Sequence, residues 1–383
     1  MGWNTYFGLG GKYDESTILD VADTLIRTGL AKAGYRIVWL DAGWASGARD
    51  ADGNIIIESK QWPHVLRWLT DQLHQRGLLA GIYSDAGPHG GNESGLGSMG
   101  HYQQDADQFA VWGFDAVKID FVGGGQERLE PITPMSAFAR AVRNNALGRP
   151  MIINICNFWM PGHQSDGYPP AERSSHNSYS WAPSVGDSWR TDTDVGFPDN
   201  VVFRDVLRNM DHNAAHPEVA GPGKWNDPDY LCPEMGMTAE EAQTQFTMWA
   251  IMAAPLVIGS DVRKLSVTCI EMLCNAEVIA IDQDPLGIQG TPVRRHGGSD
   301  VWVKPLANGD RAVALLNRTA APVRIVAGAD ELGIAPGRAA SVLNLWTGTV
   351  EQTSGSVSAE VPPHGAVPYR VTTVSATSPS ELG

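Results

Sequence analysis

Apolar side chains at Ile18, Val21, Ala22, Leu25 and Ile26 fall on one face of a helix predicted over residues 15–29. Asp14 is its natural N-cap, and Gly29 or Gly34 its stop. A short run that is apolar throughout, Ile37-Val38-Trp39-Leu40, follows and breaks at Asp41. The unit then recurs. A helix over 63–76 leads through Gly77 into a strand over 78–83 and then Ser84-Asp85. A helix over 102–112 leads through Gly113 into a strand over 116–119 and then Asp120, and a helix over 134–146 leads into a strand over 151–155 and then Cys156-Asn157. Strands that are continuously apolar rather than alternating belong to a parallel sheet covered on both faces. Four successive strands therefore end in Asp41, Asp85, Asp120 and Asn157. In a closed α/β barrel those carboxyl ends converge on the face where active sites are built.

From about residue 290 the texture changes to short β-rich runs at 301–305, 311–316, 322–326, 340–345, 358–361 and 367–372, punctuated by Gly, Pro, Asn and Asp. The pattern predicts an α/β chain: an eight-stranded (β/α)8 barrel over 1–288, then an antiparallel β-sandwich over 289–375 with a supporting role. A Ser/Thr/Pro-rich tail closes the chain at 376–383.

Length and charge narrow the function. The 383 residues suit a barrel of about 250 residues with a small partner domain. A formal net charge of −15 argues against nucleic acid or an anionic membrane surface as partner. No apolar run reaches the ~18 residues of a membrane span. Residues 1–20 lack the layout of a signal peptide, which fits either a cytoplasmic protein or the mature form of a secreted one. Four cysteines, Cys156, Cys232, Cys269 and Cys274, stand in no metal-binding spacing and are read as buried or partly buried thiols. No cofactor or metal is implied. Asn92-Glu93-Ser94 and Asn317-Arg318-Thr319 match the glycosylation sequon. No GxGxxG or Walker pattern points to nucleotide. The stretch Ala254-Pro255-Leu256, read as a strand and followed by Gly259-Ser260-Asp261, offers little of the glycine-rich loop a phosphate-sugar isomerase needs.

A barrel mouth stocked with acids, a lysine and an arginine suits glycosidic bond hydrolysis, which needs two carboxyl groups. Lys118 and Asp120 lie two apart on one strand and share a face. A buried lysine needs a partner, so Lys118 is expected to face Asp41 or Asp120 as well as substrate hydroxyls. Thirteen tryptophans are compatible with sugar stacking, although most belong in a core.

Several ordered segments resemble glycoside hydrolase family 27, the α-galactosidase family. They include Met1-Gly2-Trp3-Asn4, Gly77-Leu78-Leu79-Ala80-Gly81-Ile82-Tyr83-Ser84-Asp85, Trp112-Gly113-Phe114-Asp115 through Lys118-Ile119-Asp120, Ser188-Trp189-Arg190-Thr191-Asp192-Thr193-Asp194 and Trp225-Asn226-Asp227-Pro228-Asp229. The resemblance implies a retaining hydrolase with an oligosaccharide or glycoside as its partner. It makes Asp120 the nucleophile and Asp194 the general acid/base, with Asp192 as the rival for the second role. Retention requires the two carboxyl groups roughly 5–5.5 Å apart. It places Arg190 and Asn157 at the sugar 2-hydroxyl, and Asp41, Tyr83, Lys118 and Asp229 along the glycone pocket. Asp85 and Asp227 are left as loop-ordering residues, His89 as an ordinary loop residue and Trp3 as core or wall.

Departures from the family pattern bear on the sugar. Asp41-Ala42-Gly43-Trp44 stands where Asp-Asp-Cys-Trp is usual, Tyr6 replaces a tryptophan, and Tyr230 replaces a common methionine. Ala42 removes a carboxylate that helps to hold the 4- and 6-hydroxyl region of galactose. The expectation is a poor α-galactosidase on simple aryl substrates, or a preference for a sugar differing at C4 or C5. The alternatives are isomaltodextranase-like, β-L-arabinopyranosidase or α-N-acetylgalactosaminidase activity. A non-catalytic carbohydrate-binding barrel is disfavoured by the presence of both Asp120 and Asp194.

Overall fold

The structure, a computed structural model, describes residues 1–91, 95–157, 177–196, 200–336 and 338–373. Eight parallel strands run β1 (Gly2–Asn4), β2 (Ile37–Leu40), β3 (Leu79–Asp85), β4 (Ala116–Asp120), β5 (Ile152–Cys156), β6 (Ser188–Arg190), β7 (Trp225–Asp227) and β8 (Val257–Ile258). Their order in the sheet is β7-β6-β5-β4-β3-β2-β1-β8. The ends meet through a single parallel bridge between Leu231, just past β7, and Ile258 on β8. Leu231 N–H donates to Val257 O and Gly259 N–H to Leu231 O, both at 2.8 Å. The eighth strand begins directly after the 254–256 run read from the sequence, in which Pro255 has no N–H to give to a ladder.

The first four α/β units follow the predicted pattern closely. The first predicted helix spans Glu15–Arg27, with Asp14 accepting from Thr17 N–H as its N-cap and Ile18, Val21, Ala22 and Leu25 buried. It stops at Thr28, ahead of Gly29, whose φ is +86°. Further helices span Val65–Gln75, Tyr102–Val111 and Ile132–Arg143, each burying an apolar stripe. Strands β2 and β4 are buried along almost their whole length, as a sheet covered on both faces demands.

The chain divides into two compact units. The first holds the barrel strands. The second gathers Ala220–Pro222, Met237–Ala254 and Asn275–Gly383. Its strands are β9 (Thr291–His296), β10 (Ser299–Pro305), β11 (Arg311–Asn317), β12 (Val323–Gly328), β13 (Ala340–Asn344), β14 (Val350–Thr353), β15 (Ser356–Val361) and β16 (Ala366–Thr373). Six form one antiparallel sheet in the order β14-β13-β16-β11-β10-β9, and β12 pairs with β15 in a second. Val301, Val313, Leu315, Ile325, Ala327, Val342, Val361 and Val371 supply its dry core, drawn from both sheets.

All four cysteines are free thiols, Cys232 and Cys269 buried and the other two partly so. Asn317 is fully buried, with its side-chain amide donating to Ala321 O, Val361 O and Pro362 O, so that sequon is no glycosylation acceptor. The sequon at Asn92 and the tail 376–383 lie outside the described residues. Among the described residues no helix is long and apolar enough to cross a membrane.

Candidate active site

A cavity of about 200 Å³ opens at the carboxyl ends of the barrel strands. Its wall includes Asp41, Tyr83, Lys118, Asp120, Asn157, Arg190 and Asp194, seven of the eight residues expected there from the sequence, together with the rival Asp192. All but Asp192 and Asp194, which lie on the loop after β6, are delivered by a strand or by the residue directly after one. Asp41 directly follows β2, Tyr83 lies within β3, Lys118 and Asp120 within β4, Asn157 just past β5, and Arg190 ends β6. Register aligns them, since Tyr83 sits opposite Lys118 and Asp85 opposite Asp120.

Asp120 is buried, and its Oδ1 accepts the N–H of Phe121 at 2.8 Å. Burial pushes its carboxyl above the usual carboxylate range. The Lys118 charge and the Phe121 N–H pull against that shift, while the charges of Asp41 and Asp194 add to it. Lys118 Nζ does not pair with Asp120. It donates to Asp41 Oδ2 at 2.8 Å and to the Tyr230 hydroxyl at 3.0 Å, and it lies 5.6 and 5.5 Å from the ring centres of Tyr83 and Tyr230. Burial works against its charge, but Asp41, together with Tyr230, Cys156 and Asp120, outweighs this and keeps the amine protonated.

Asp41 is crowded with donors. Its Oδ2 takes Asn4 Nδ2 at 2.7 Å, Lys118 Nζ at 2.8 Å and the Tyr230 hydroxyl at 3.3 Å, while Oδ1 accepts Ala42 N–H at 2.9 Å. Burial raises its pKa, yet the Lys118 charge and these hydrogen bonds bring it below the usual range. Asn4 was not singled out from the sequence. The only signal was its place in the opening Gly2-Trp3-Asn4, which is strand β1.

The two candidate acids on the loop after β6 have different surroundings. Asp194 keeps 39% of its side chain exposed and accepts Arg190 Nη2 at 3.0 Å. The Asp192 side chain is fully buried and accepts Arg208 Nε at 3.0 Å and His212 Nδ1 at 2.5 Å. Burial pushes the Asp192 carboxyl up, but His212, the Thr193 N–H and the Arg208 charge together outweigh it and hold it below the usual range. Arg208 and His212 lie on the helix Phe203–Asn213, and nothing in the sequence pointed them at this loop.

Asp229 departs from expectation: it is completely buried and is not part of the cavity wall. It stands behind Arg190, with Oδ1 2.9 Å from Nη1 and Oδ2 accepting Val195 N–H at 2.7 Å. Burial pushes its carboxyl up to about 7 against the pull of Arg190. A backbone φ of +89° turns it under the guanidinium, and Asp227 Oδ1 braces that turn by accepting Asp229 N–H at 2.9 Å. Asp85 is likewise a brace. It accepts Gly87 N–H at 2.7 Å and Gly123 N–H at 3.3 Å, and a Cβ on Gly123 would lie 2.1 Å from His89 O. Burial and the neighbouring Asp120 raise Asp85 to about 8. His89 pairs with Glu127 at 3.1 Å. Trp3 is core, its Nε1 donating to Ser260 O at 2.8 Å.

Tyr6, Phe7, Ala42, Gly91, Val122, Cys156, Thr193 and Tyr230 complete the wall. No tryptophan is among the described residues that form it. Trp3, Trp62, Trp189, Trp249 and Trp302 are fully buried instead.

Residues 12–284 match the family model described as alpha galactosidase A, and 296–371 match the alpha galactosidase C-terminal beta sandwich domain. The α-galactosidase of Oryza sativa subsp. japonica is 36% identical over 374 residues, covering 97% of this chain and 84% of that one. Among solved structures, α-galactosidase I of Mortierella vinacea superposes with a TM-score of 0.85 at 26% identity, over 97% of this chain and 96% of that one. The α-galactosidase of Saccharomyces cerevisiae, determined with raffinose, shares the fold at 24% identity and a TM-score of 0.83, over 98% and 97% of the two chains. The chain belongs to the α-galactosidase family of glycoside hydrolases, family 27, and is a glycosidase of the retaining, α-galactosidase type.

Proposed function

We propose that this glycosidase is exo-acting and removes one terminal sugar from an oligosaccharide or glycoside, with Asp120 as nucleophile and Asp194 as general acid/base. The carrying observation is that two carboxyl groups in opposite settings open on one small cavity. Asp120 is buried on β4 beside the Lys118 charge, and Asp194 is partly exposed on the loop after β6. The cavity of about 200 Å³ is below the ~300–1,000 Å³ of pockets for drug-sized ligands, which favours a single ring.

In the first step an Asp120 oxygen attacks the anomeric carbon while Asp194 gives its proton to the departing oxygen. In the second step Asp194 takes a proton from water, which attacks the same carbon and frees Asp120. Two inversions give net retention. Arg190, clamped from behind by Asp229, and Asn157 hold the sugar near the reacting carbon in this reading, which their position in the cavity wall supports.

A second reading concerns the sugar, and a specific observation favours it. At the pocket end Ala42 offers no carboxylate, while Asp41 is already occupied by Asn4, Lys118 and Tyr230. The phenol of Tyr230 and the ring of Tyr6 make this end bulkier and less charged than a galactose site with two free carboxylates. On this reading the mechanism is unchanged and the preferred glycone differs from galactose at C4 or C5, as in isomaltosyl or arabinopyranosyl substrates. A screen of aryl α- and β-glycosides of galactose, N-acetylgalactosamine, arabinopyranose and glucose, with raffinose and isomaltooligosaccharides, separates the readings. Turnover of galactosides above all others supports the plain α-galactosidase. No turnover of any would sink the catalytic proposal.

A further inference from the structure

We propose that Asp192 is a positioning residue for Asp194: it orients Arg208 so that the helix Phe203–Asn213 fixes the loop carrying the acid/base. The proposal rests on the assignment of Asp194 as acid/base and adds how its geometry is held.

The loop Thr191–Val195 has no regular structure of its own, yet its polar groups are tied down from two sides. From the strand side, Thr191 N–H donates to Asp227 O at 3.0 Å and Val195 N–H to Asp229 Oδ2 at 2.7 Å. From the helix side, Asn209 Nδ2 donates to Thr193 O at 2.8 Å, Thr191 Oγ1 to Asn213 Oδ1 at 2.9 Å, and Arg208 Nη2 to the backbone oxygen of Asp194 at 2.8 Å. The Arg208 bond is the one that grips Asp194 itself.

A guanidinium holds that bond only if its plane is fixed. Asp192 Oδ2 accepts Arg208 Nε at 3.0 Å, Asn209 Oδ1 accepts Nη2 at 2.8 Å, and Asp205 Oδ1 accepts Nη1 at 3.1 Å. His212 Nδ1 supplies a second donor to Asp192 Oδ2 at 2.5 Å. Asp192 is thus a buried anion whose carboxylate is taken up by two side chains one helical turn apart. Its charge draws the basic face of the helix onto the loop. Without that charge, Arg208 keeps Asp205 and Asn209 on its own helix but loses its ionic tie to the loop, so its grip on Asp194 O slackens and the proton donor loses its aim. General acid catalysis is sensitive to such displacement, and a shift of about 1 Å can cost on the order of a hundredfold.

The test compares full-length enzyme carrying Asp192→Asn, Arg208→Gln or Asp194→Ala on two glycosides of the preferred sugar. One has a dinitrophenyl leaving group that needs no protonation and the other an alkyl leaving group that does, each assayed with and without azide. Asp192→Asn and Arg208→Gln should lose about a hundredfold in kcat on the alkyl glycoside and at least tenfold less on the dinitrophenyl glycoside. Azide should rescue Asp194→Ala and neither of the other two, because their Asp194 carboxylate still occupies the place the anion would take. Equal losses on both leaving groups, or no loss on either, overturn the positioning role and leave Asp194 untouched. Azide rescue of Asp192→Asn makes Asp192 the acid/base and overturns both assignments. Should Asp192→Asn fail to fold, Arg208→Gln carries the same comparison, since it removes the bond to Asp194 O from a partly exposed helix position.

Discussion

Among the described residues two lysines are buried, one in each compact unit, and they are satisfied in different ways. Lys118 in the barrel meets a carboxylate directly, 2.8 Å from Asp41 Oδ2, and is held protonated. Lys304 in the C-terminal unit donates to two backbone carbonyls, Ala250 O at 3.1 Å and Ile281 O at 2.6 Å. Burial pulls it down to about 8, even with Asp282 nearby, while burial pushes Asp282 up to about 7. The barrel retains a full ion pair in a low-dielectric wall, where an apolar pair of the same size is often no less stable. The β unit lets its pair drift toward neutrality, which is the ordinary response to burial. The contrast teaches what each lysine is for: Lys118 keeps its charge against the desolvation cost where a sugar is to be held, and Lys304 gives part of its charge up where only packing is served.

The largest effect expected from this contrast is at Lys118. Lys118→Met should lower kcat/KM by two to three orders of magnitude, the scale of removing one preorganised electrostatic group from an active site (~10²–10³). Activity requires ionised Asp120, so the rate falls as pH drops through its pKa. Lys118 lowers that pKa, so its removal should move the acid limb of the pH–rate profile to higher pH. An unchanged limb, or one moved to lower pH, would put Lys118 among the structural lysines.

A smaller effect is expected at the pocket end. Ala42→Asp should raise the rate on galactosides relative to the preferred glycoside by about one to two orders of magnitude, the value of a charged hydrogen bond of ~1.5–3 kcal/mol. Unchanged ratios, with galactoside already the best substrate of the parent enzyme, would show that position 42 does not select the sugar.

The smallest effect belongs to the β unit. Because the folded pKa of Asp282 exceeds its unfolded value, the stability it contributes is complete below about pH 4 and is lost as pH rises through about 7. The double variant Lys304→Met/Asp282→Asn should therefore flatten the fall in Tm over that window. It should leave Tm at pH 8 equal or a few degrees higher, and leave kcat/KM unaltered. A loss of kcat/KM would erase the distinction between the two lysines.

Much of the architecture was legible because it repeats. The first four α/β units announced themselves through helices longer than two turns and strands apolar on both faces. The later barrel strands did not, because β6, β7 and β8 have three, three and two residues, too few for any period. In the C-terminal unit every strand was read except β9 and β14, which are the two edges of the six-stranded sheet. Both are largely exposed, so neither carries the alternation that gives an inner strand away.

The site was legible where strand ends carry it. Asp41, Asp120 and Asn157 follow from apolar runs stopping at polar residues, whereas Asp194 needed the family motif because its loop has no pattern. Asp229 was misplaced, since sequence gives a residue's neighbours along the chain but not which side of Arg190 it occupies. Arg208 and His212 were invisible for the same reason.

The central claim is that Asp120 forms the glycosyl-enzyme bond. Incubating the enzyme with a mechanism-based fluorosugar of its preferred glycone and mapping the labelled peptide tests it directly. The account predicts the sugar on Asp120, with label abolished by Asp120→Asn and retained by Asp192→Asn. A label on Asp41, Asp85, Asp192, Asp194 or Asp229 would contradict it.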